Sequence, residues 1–296
     1  MSLKTTLRIV ASHPLNRDHR TRALLRYLRW QTRLRVSPEG VVHEWVNGSR
    51  ILIQRGGGGT ILNAYNGLAE FEEMAFLLHF LRAGDAFVDV GANAGAYTVL
   101  ACAAVGSKVL AFEPLPATYA RLVANVRLNG AQVRVHCVNA ALGSASGTLE
   151  FTAGLDAENH ALAPGESTVG TARVAVTTLD GEASGMSPAM LKIDVEGFEF
   201  PVVKGAVLLL TDPVLRAVVI ELNGSSCRYS FTDDDVMAAM RGHGFAPCQY
   251  DPFTRMLSDL PGKNHASGNT LFIRDRDFVV RRLAEAPVFF VNGVQI

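Results

Sequence analysis

The segment Asp89-Val90-Gly91-Ala92-Asn93-Ala94-Gly95-Ala96-Tyr97 directly follows an apolar run that starts at Ala86. Gly91 and Gly95 permit a tight turn and let the backbone approach a ligand, because neither carries a Cβ. The N–H groups of a helix starting here would face a negative or polar ligand group. A dinucleotide fingerprint needs G-x-G-x-x-G, but Asn93 occupies the middle glycine position, and no Walker lysine is present. D-x-G-x-x-x-G therefore suits a cofactor without phosphate. Twenty-two residues after Gly91 comes Glu113, followed by Pro114. An acid at that distance accepts the ribose hydroxyls in nucleoside-binding α/β folds.

The second candidate is Leu191-Lys192-Ile193-Asp194-Val195-Glu196-Gly197-Phe198-Glu199. In an extended strand Lys192, Asp194 and Glu196 share one side. A lysine on a buried strand is costly without a partner. The group is therefore either an ion pair closing the strand or, as we read it, a polar cluster at a ligand-binding edge. Glu221 and Asn223 sit at the end of a later strand. Asp194, Glu221 and Asn223 together offer oxygen ligands of the kind Mg²⁺ takes.

These residues need a scaffold, and the chain supplies strand–helix alternation. Strands are expected at 86–90, 108–112, 133–138, 191–195, 217–222, 245–250 and 270–273, with helices at 96–104, 117–128, 200–210 and 233–241 between them. That order argues for an α/β, doubly wound, mostly parallel sheet. A helix over about 68–81 precedes it. Residues 143–185 interrupt the rhythm as a β insertion with a polar loop. Before residue 67 lie an arginine-striped helix (Arg22, Arg26, Arg29, Arg33, with Leu24, Tyr27, Leu28 and Leu34 opposite) and a hairpin at Asn47-Gly48. The Gly56–Gly59 run is expected as a break. We divide the chain into a basic extension (1–66), a catalytic domain (67–275) and a tail (276–296) whose packing partner the sequence does not show.

Across 296 residues, 48% are apolar and 19% charged, which excludes a wholly disordered chain. Apolar runs are too short for a membrane helix, and no apolar core of a signal peptide follows Lys4 and Arg8. Cys102, Cys137, Cys227 and Cys248 are scattered, and we expect them buried and reduced in a cytoplasmic protein. The zero net charge hides an asymmetry: residues 1–60 hold eleven Lys/Arg against three acids, +8, and the remainder is at −8.

Asp89-x-Gly91-Ala92-Asn93-x-Gly95, Ala111-Phe112-Glu113-Pro114, Asn139-x-Ala141-Leu142-Gly143, Leu179-Asp180, Lys192-Ile193-Asp194-Val195-Glu196-Gly197-x-Glu199 and Lys204-Gly205 occur in that order. Together they resemble the FkbM family of S-adenosylmethionine-dependent methyltransferases over about residues 68–222. The resemblance implies the class I methyltransferase fold, a seven-stranded sheet with one antiparallel strand. It also implies O-methylation of a hydroxyl on a sugar, glycan or polyketide, leaving S-adenosylhomocysteine. Asp89, Gly91, Asn93 and Gly95 would hold the methionine end of the cofactor, Glu113 the ribose, and Asn139 would lie near the adenine. Ala92, Tyr97, Pro114, Ala140 and Asp194 would complete its surroundings. Lys192, Asp194 and Glu196 would face the methyl group and the acceptor.

Such a reaction needs in-line alignment, and a base for the hydroxyl proton. Asp194 is the first choice of base, and His160 in the insertion loop is the second. Mg²⁺ is the other route to a lower alcohol pKa. Two alternatives use the same fold. A nicotinamide oxidoreductase lacks its middle glycine here. A nucleic-acid (RNA) methyltransferase would use the basic arm, but where base-methylating enzymes resemble one another in an Asn/Asp-Pro-Pro-aromatic stretch this chain has Asp194-Val195-Glu196-Gly197; Cys248 after Pro247 reads as packing. The arm itself could meet anionic lipid, an acidic partner, or the acidic body of its own or a neighbouring subunit in a homo-oligomer. Docking on its own body is the reading carried forward.

Overall fold

The computed structural model describes residues 3–54, 58–154, 159–166, 168 and 170–296. Helices α1 (Leu3–Ser12) and α2 (Arg20–Val36) lead into a hairpin, β1 (Val41–Glu44) and β2 (Arg50–Ile53). Its turn has Asn47 and Gly48 at φ of 51° and 77°, the left-handed pair that Asn-Gly favours. The hairpin is pinned to the body: the backbone N–H groups of Arg50 and Leu52 donate to Asn129 and Asn125 Oδ1, each at 2.8 Å.

α2 buries Ala23, Tyr27, Trp30 and Leu34. This corrects the expected apolar face, because Leu28 is 57% exposed. Arg26 turns inward, donating to Tyr65 O (2.7 Å) and Asn16 Oδ1 (2.6 Å), and so leaves the exposed arginine row. Of the expected glycine break, Gly56 and Gly57 lie outside the described residues, and Gly58 opens a helix, α3 (Gly58–Asn66).

The body continues with α4 (Phe71–Phe80), β3 (Ala86–Val90), α5 (Ala96–Val99) running into a π turn over Leu100–Val105, β4 (Lys108–Phe112), α6 (Pro116–Leu128) and β5 (Val135–Val138). The insertion is a three-stranded sheet of β6 (Ala141–Leu142), β7 (Gly147–Thr152) and β8 (Thr171–Thr177). Then follow α7 (Leu179–Glu182), β9 (Met190–Ile193), α8 (Glu199–Lys204), α9 (Val207–Thr211), β10 (Ala217–Glu221), α10 (Asp233–Gly242), β11 (Ala246–Asp251), β12 (Met256–Asp259) and β13 (Asn269–Ile273).

The main sheet runs β12-β11-β13-β10-β9-β3-β4-β5. β3, β4, β5, β9 and β10 are parallel, and β13 runs against both its neighbours. This is the class I methyltransferase architecture. It carries an eighth strand, β12, which pairs antiparallel with β11 at the edge. Side chains alternate across the sheet: Phe87 joins the core under α4, and Val88 and Val90 join the core under α8 to α10. Strand order reverses at β3–β9, the switch point where α/β sheets open a crevice.

The expected helix over 200–210 is two helices. A Cβ on Gly205 would lie 2.1 Å from Gly143 O, so the chain breaks there to let the insertion's first turn approach. Asp180 then restarts it, accepting from the backbone N–H groups of Leu208 and Leu209 at 2.9 Å each.

The tail is a clasp. α11 (Arg276–Ala284) packs on α4, and a hairpin of β14 (Phe290–Val291) and β15 (Val294–Gln295) follows. Arg282 bonds Phe80 O (2.5 Å) and pairs with Asp85. Val291 fills the space where Gly67 has no Cβ. Cys102 and Cys248 are buried and Cys137 is half-buried, but Cys227 is exposed, against expectation.

Candidate active site

At the carboxyl ends of β3, β4, β9 and β10 lies a cavity of about 230 Å³. The glycine turn forms its floor. Gly91 has φ 77°, and a Cβ there would sit 1.8 Å from Asp194 O. The glycine therefore admits the neighbouring strand end as well as a ligand. Gly95 (φ 88°) stays behind the wall, where a Cβ would press on Leu122 at 2.6 Å.

The N–H groups expected to face a ligand are already used. Asn93 N donates to Glu113 Oε2 (3.1 Å), Ala94 N to Asn93 Oδ1 (2.7 Å) and Gly95 N to Ala92 O (2.8 Å). The turn therefore grips a carboxylate of the protein rather than a phosphate. Glu113 Oε1 also accepts from Leu115 N at 3.0 Å. Burial pushes Glu113 up to about 7, against the pull of those two backbone donors.

Asp89 is buried at the floor. Its Oδ2 accepts from Thr98 Oγ1 at 2.6 Å, and its Oδ1 has no partner. Burial raises its pKa, and Lys192 opposes that rise. Lys192, 3% exposed, donates to Asp194 Oδ2 at 2.6 Å and stands 4.6 Å from the Tyr97 ring centre. Burial works against its charge, but Asp194, Glu70 and Asp89 outweigh it and hold the ammonium above its ordinary pKa.

The strand alternation ends at Ile193. Glu196 then takes a left-handed φ of 56° and still reaches the cavity. Glu199 fixes this loop: its Oε1 accepts from Val195 N (3.2 Å) and Gly197 N (3.0 Å). Oxygens of Asp194, Glu196 and Glu221 lie within 4.8 Å of one another. Asn223 does not line the cavity, and its Oδ1 accepts from Ser225 N at 2.8 Å. Burial, then Asp194, Glu196 and Glu199, push Glu221 up to about 9.

Ala92, Asn93, Tyr97, Pro114, Ala140 and Lys192 line the cavity beside Asp89, Gly91, Glu113, Asp194 and Glu196. Asn139 does not; its amide braces Glu113 O (2.8 Å) and Pro114 O (2.9 Å) from outside. His160 also stays out, with Nε2 2.9 Å from Glu166 Oε1 inside the insertion, so it is not placed as the base.

The Methyltransferase FkbM domain profile matches residues 89–247, more than half of the chain. The chain belongs to the FkbM methyltransferase family. A crystal structure of an FkbM methyltransferase from Methylobacillus flagellatus is similar at 16% identity and TM-score 0.44, over 72% of this chain and 52% of that one. This FkbM chain thus spans about half the length of that relative. An rRNA methylase from Streptococcus thermophilus (13%, TM-score 0.39, 68% and 91% covered) and an S-adenosylmethionine-dependent O-methyltransferase from Thermotoga maritima (12%, TM-score 0.36, 76% and 66%) are also similar. No curated protein matches the sequence.

FkbM membership implies S-adenosylmethionine, and the cavity fits it. Glu113 presents a carboxylate for the ribose diol, and the orphaned Asp89 Oδ1 offers an acceptor for the methionine ammonium. Six carboxyl side chains (Glu70, Asp89, Glu113, Asp194, Glu196, Glu221) and one cation, Lys192, line the space. That balance suits a sulfonium with an ammonium and opposes phosphate.

Sequence reasoning missed Glu70, Thr60, Thr118, Phe151, Asn159 and Phe198, which also line the FkbM cavity. Glu70 accepts from Tyr97 Oη (2.5 Å) and Asn269 Nδ2 (3.2 Å), and burial raises its pKa. The acid directly ahead of the apolar α4 helix was its one sequence signal.

Proposed function

We propose that the protein is an S-adenosylmethionine-dependent O-methyltransferase acting on a hydroxyl of a sugar, glycan or polyketide-type small molecule. The observation that carries this reading is the pairing of Lys192 with Asp194 in the same cavity as Glu113 and the orphaned Asp89 oxygen. One end can hold an adenosyl group, and the other presents a carboxylate for a hydroxyl proton.

When bound, S-adenosylmethionine supplies a methyl carbon on a good leaving group. Glu113 and Asp89 would hold the cofactor so that its methyl carbon faces the acceptor, and Asp194 would take the acceptor's hydroxyl proton. Lys192 holds the Asp194 carboxylate in place. Glu199 fixes the turn that follows, so the base does not drift. Alignment of this kind contributes about 7–11 kcal/mol. A positioned base adds roughly 10²–10⁴-fold. Phe151 and Asn159 from the insertion and Phe198 from the loop after β9 also line the cavity, and would limit water around the reacting atoms.

The cavity speaks against an RNA acceptor, because its one lining cation, Lys192, is already paired with Asp194 and leaves phosphates no partner. The test is calorimetry with S-adenosylhomocysteine, then transfer of labelled methyl from S-adenosylmethionine to a panel of hydroxylated glycans and polyketides. Absence of heat with the product and with the donor ends this reading.

A further inference from the structure

α2 has a second face that the fold leaves uncovered. Leu25 and Leu28 are 66% and 57% exposed, and Val36 at its end is 75% exposed. At 3.6 residues per turn they lie on one stripe, roughly half a turn from the buried Ala23, Tyr27, Trp30 and Leu34. Exposed Arg22 and Arg29 flank the stripe on one side and Arg35 on the other. The helix contains no acid.

We propose that this face of α2 docks on an anionic lipid surface. A helix with leucines between arginines lies in a membrane interface, its apolar side chains at the acyl boundary and its guanidinium groups among the lipid phosphates. A second copy of the chain is a poor occupant, because two-fold pairing through this face would set arginine rows against each other. A nucleic-acid backbone would satisfy the arginines but not Leu25, Leu28 and Val36. The surface lies outside residues 89–247 and is independent of the chemistry assigned to the cavity.

The test is co-sedimentation of the full chain with vesicles of equimolar phosphatidylcholine and phosphatidylglycerol, beside phosphatidylcholine alone. Binding is expected only to the anionic vesicles. The triple variant R22Q/R29Q/R35Q should lose on the order of a hundredfold in affinity, at about 1 kcal/mol per basic residue. L25S/L28S should also weaken it, most visibly in high salt, where the apolar part carries the binding. All five substituted positions are exposed, and unchanged circular dichroism confirms that the variants fold. Equal binding to both vesicle types, binding to neither, or L25S/L28S affinity equal to the parent overturns the proposal. So does tighter binding to a single-stranded RNA oligonucleotide than to the anionic vesicles.

Discussion

A Cβ on Gly91 would lie 1.8 Å from the carbonyl oxygen of Asp194. The glycine turn and the acidic strand end are therefore one object: β3 and β9 approach so closely that only hydrogen fits between them. Gly91→Ala should separate the cofactor floor from the base. We expect a loss of about 3 kcal/mol or more in stability, since the clash is with backbone and φ is positive. Thermal melting and calorimetry with S-adenosylhomocysteine check this, and an alanine variant with parental melting and binding contradicts it.

Glu113 titrates at about 7 because it is buried. In the proposed role its carboxylate would accept hydrogen bonds from the two ribose hydroxyls, and protonation would weaken that role. Affinity for S-adenosylhomocysteine should therefore rise between about pH 6 and 8 and level off above. Glu113→Gln should lose the pH dependence together with about 1.5–3 kcal/mol of binding. A parallel pH slope in both proteins would place the titration elsewhere.

Asp194→Asn should lower kcat by roughly 10²–10⁴-fold while leaving product affinity nearly intact. Lys192→Met tests the partner. Without the ammonium at 2.6 Å, the Asp194 carboxylate loses the partner that fixes its position. Lys192→Met should therefore lower kcat while leaving affinity for S-adenosylhomocysteine nearly intact. A variant with parental kcat would make the lysine a structural pair. Asp194 already has a cation in Lys192, and Asn223 is turned away, so we expect turnover to survive a chelator; loss of turnover restored by Mg²⁺ would reverse that expectation.

Stability without ligand should fall as pH rises. Burial raises Glu73, Glu113 and Glu199 to about 7 and Glu221 to about 9. Folded pKa values above the unfolded ones mean that the folded state binds more protons. The stabilisation is complete below the unfolded carboxyl range and is lost through pH 7 and then pH 9. Melting temperatures across that range should decline; a flat profile would show that these carboxyls are not desolvated as described.

Trp30 is 4% exposed and sits on the inner face of α2. Trp30→Ala should cost about 3–5 kcal/mol. Deleting residues 1–40 should do the same and uncover apolar surface around Tyr65, whose ring meets Tyr27 at 5.0 Å. Unchanged melting of either variant would mean that the N-terminal helices do not support the body.

The parts of the site that were legible are contiguous in sequence. Asp89 to Gly95, Glu113 and Lys192 to Glu199 each sit at a strand end, and strand periodicity places such ends reliably. Glu70 and Thr60 escaped because they lie ahead of β3, outside the strand–helix alternation, and reach the cavity only through tertiary packing. The break at Gly205 escaped for a similar reason: its cause is Gly143, on another element. Glu196 lines the cavity, but a left-handed turn and not strand alternation takes it there. The direction of α2 was misread at Leu28 because a hydrogen-bonded Arg26 can be an inner residue, which charge counting does not anticipate.

Ile296 is 4% exposed, and its backbone exchanges hydrogen bonds with Phe289, whose ring rests 6.1 Å from that of His79 on α4. The same helix carries Met74 into the cavity. A bulky or charged side chain introduced at Ile296 would thus be felt at the wall of the cavity, whereas one placed on α1 would not load that contact.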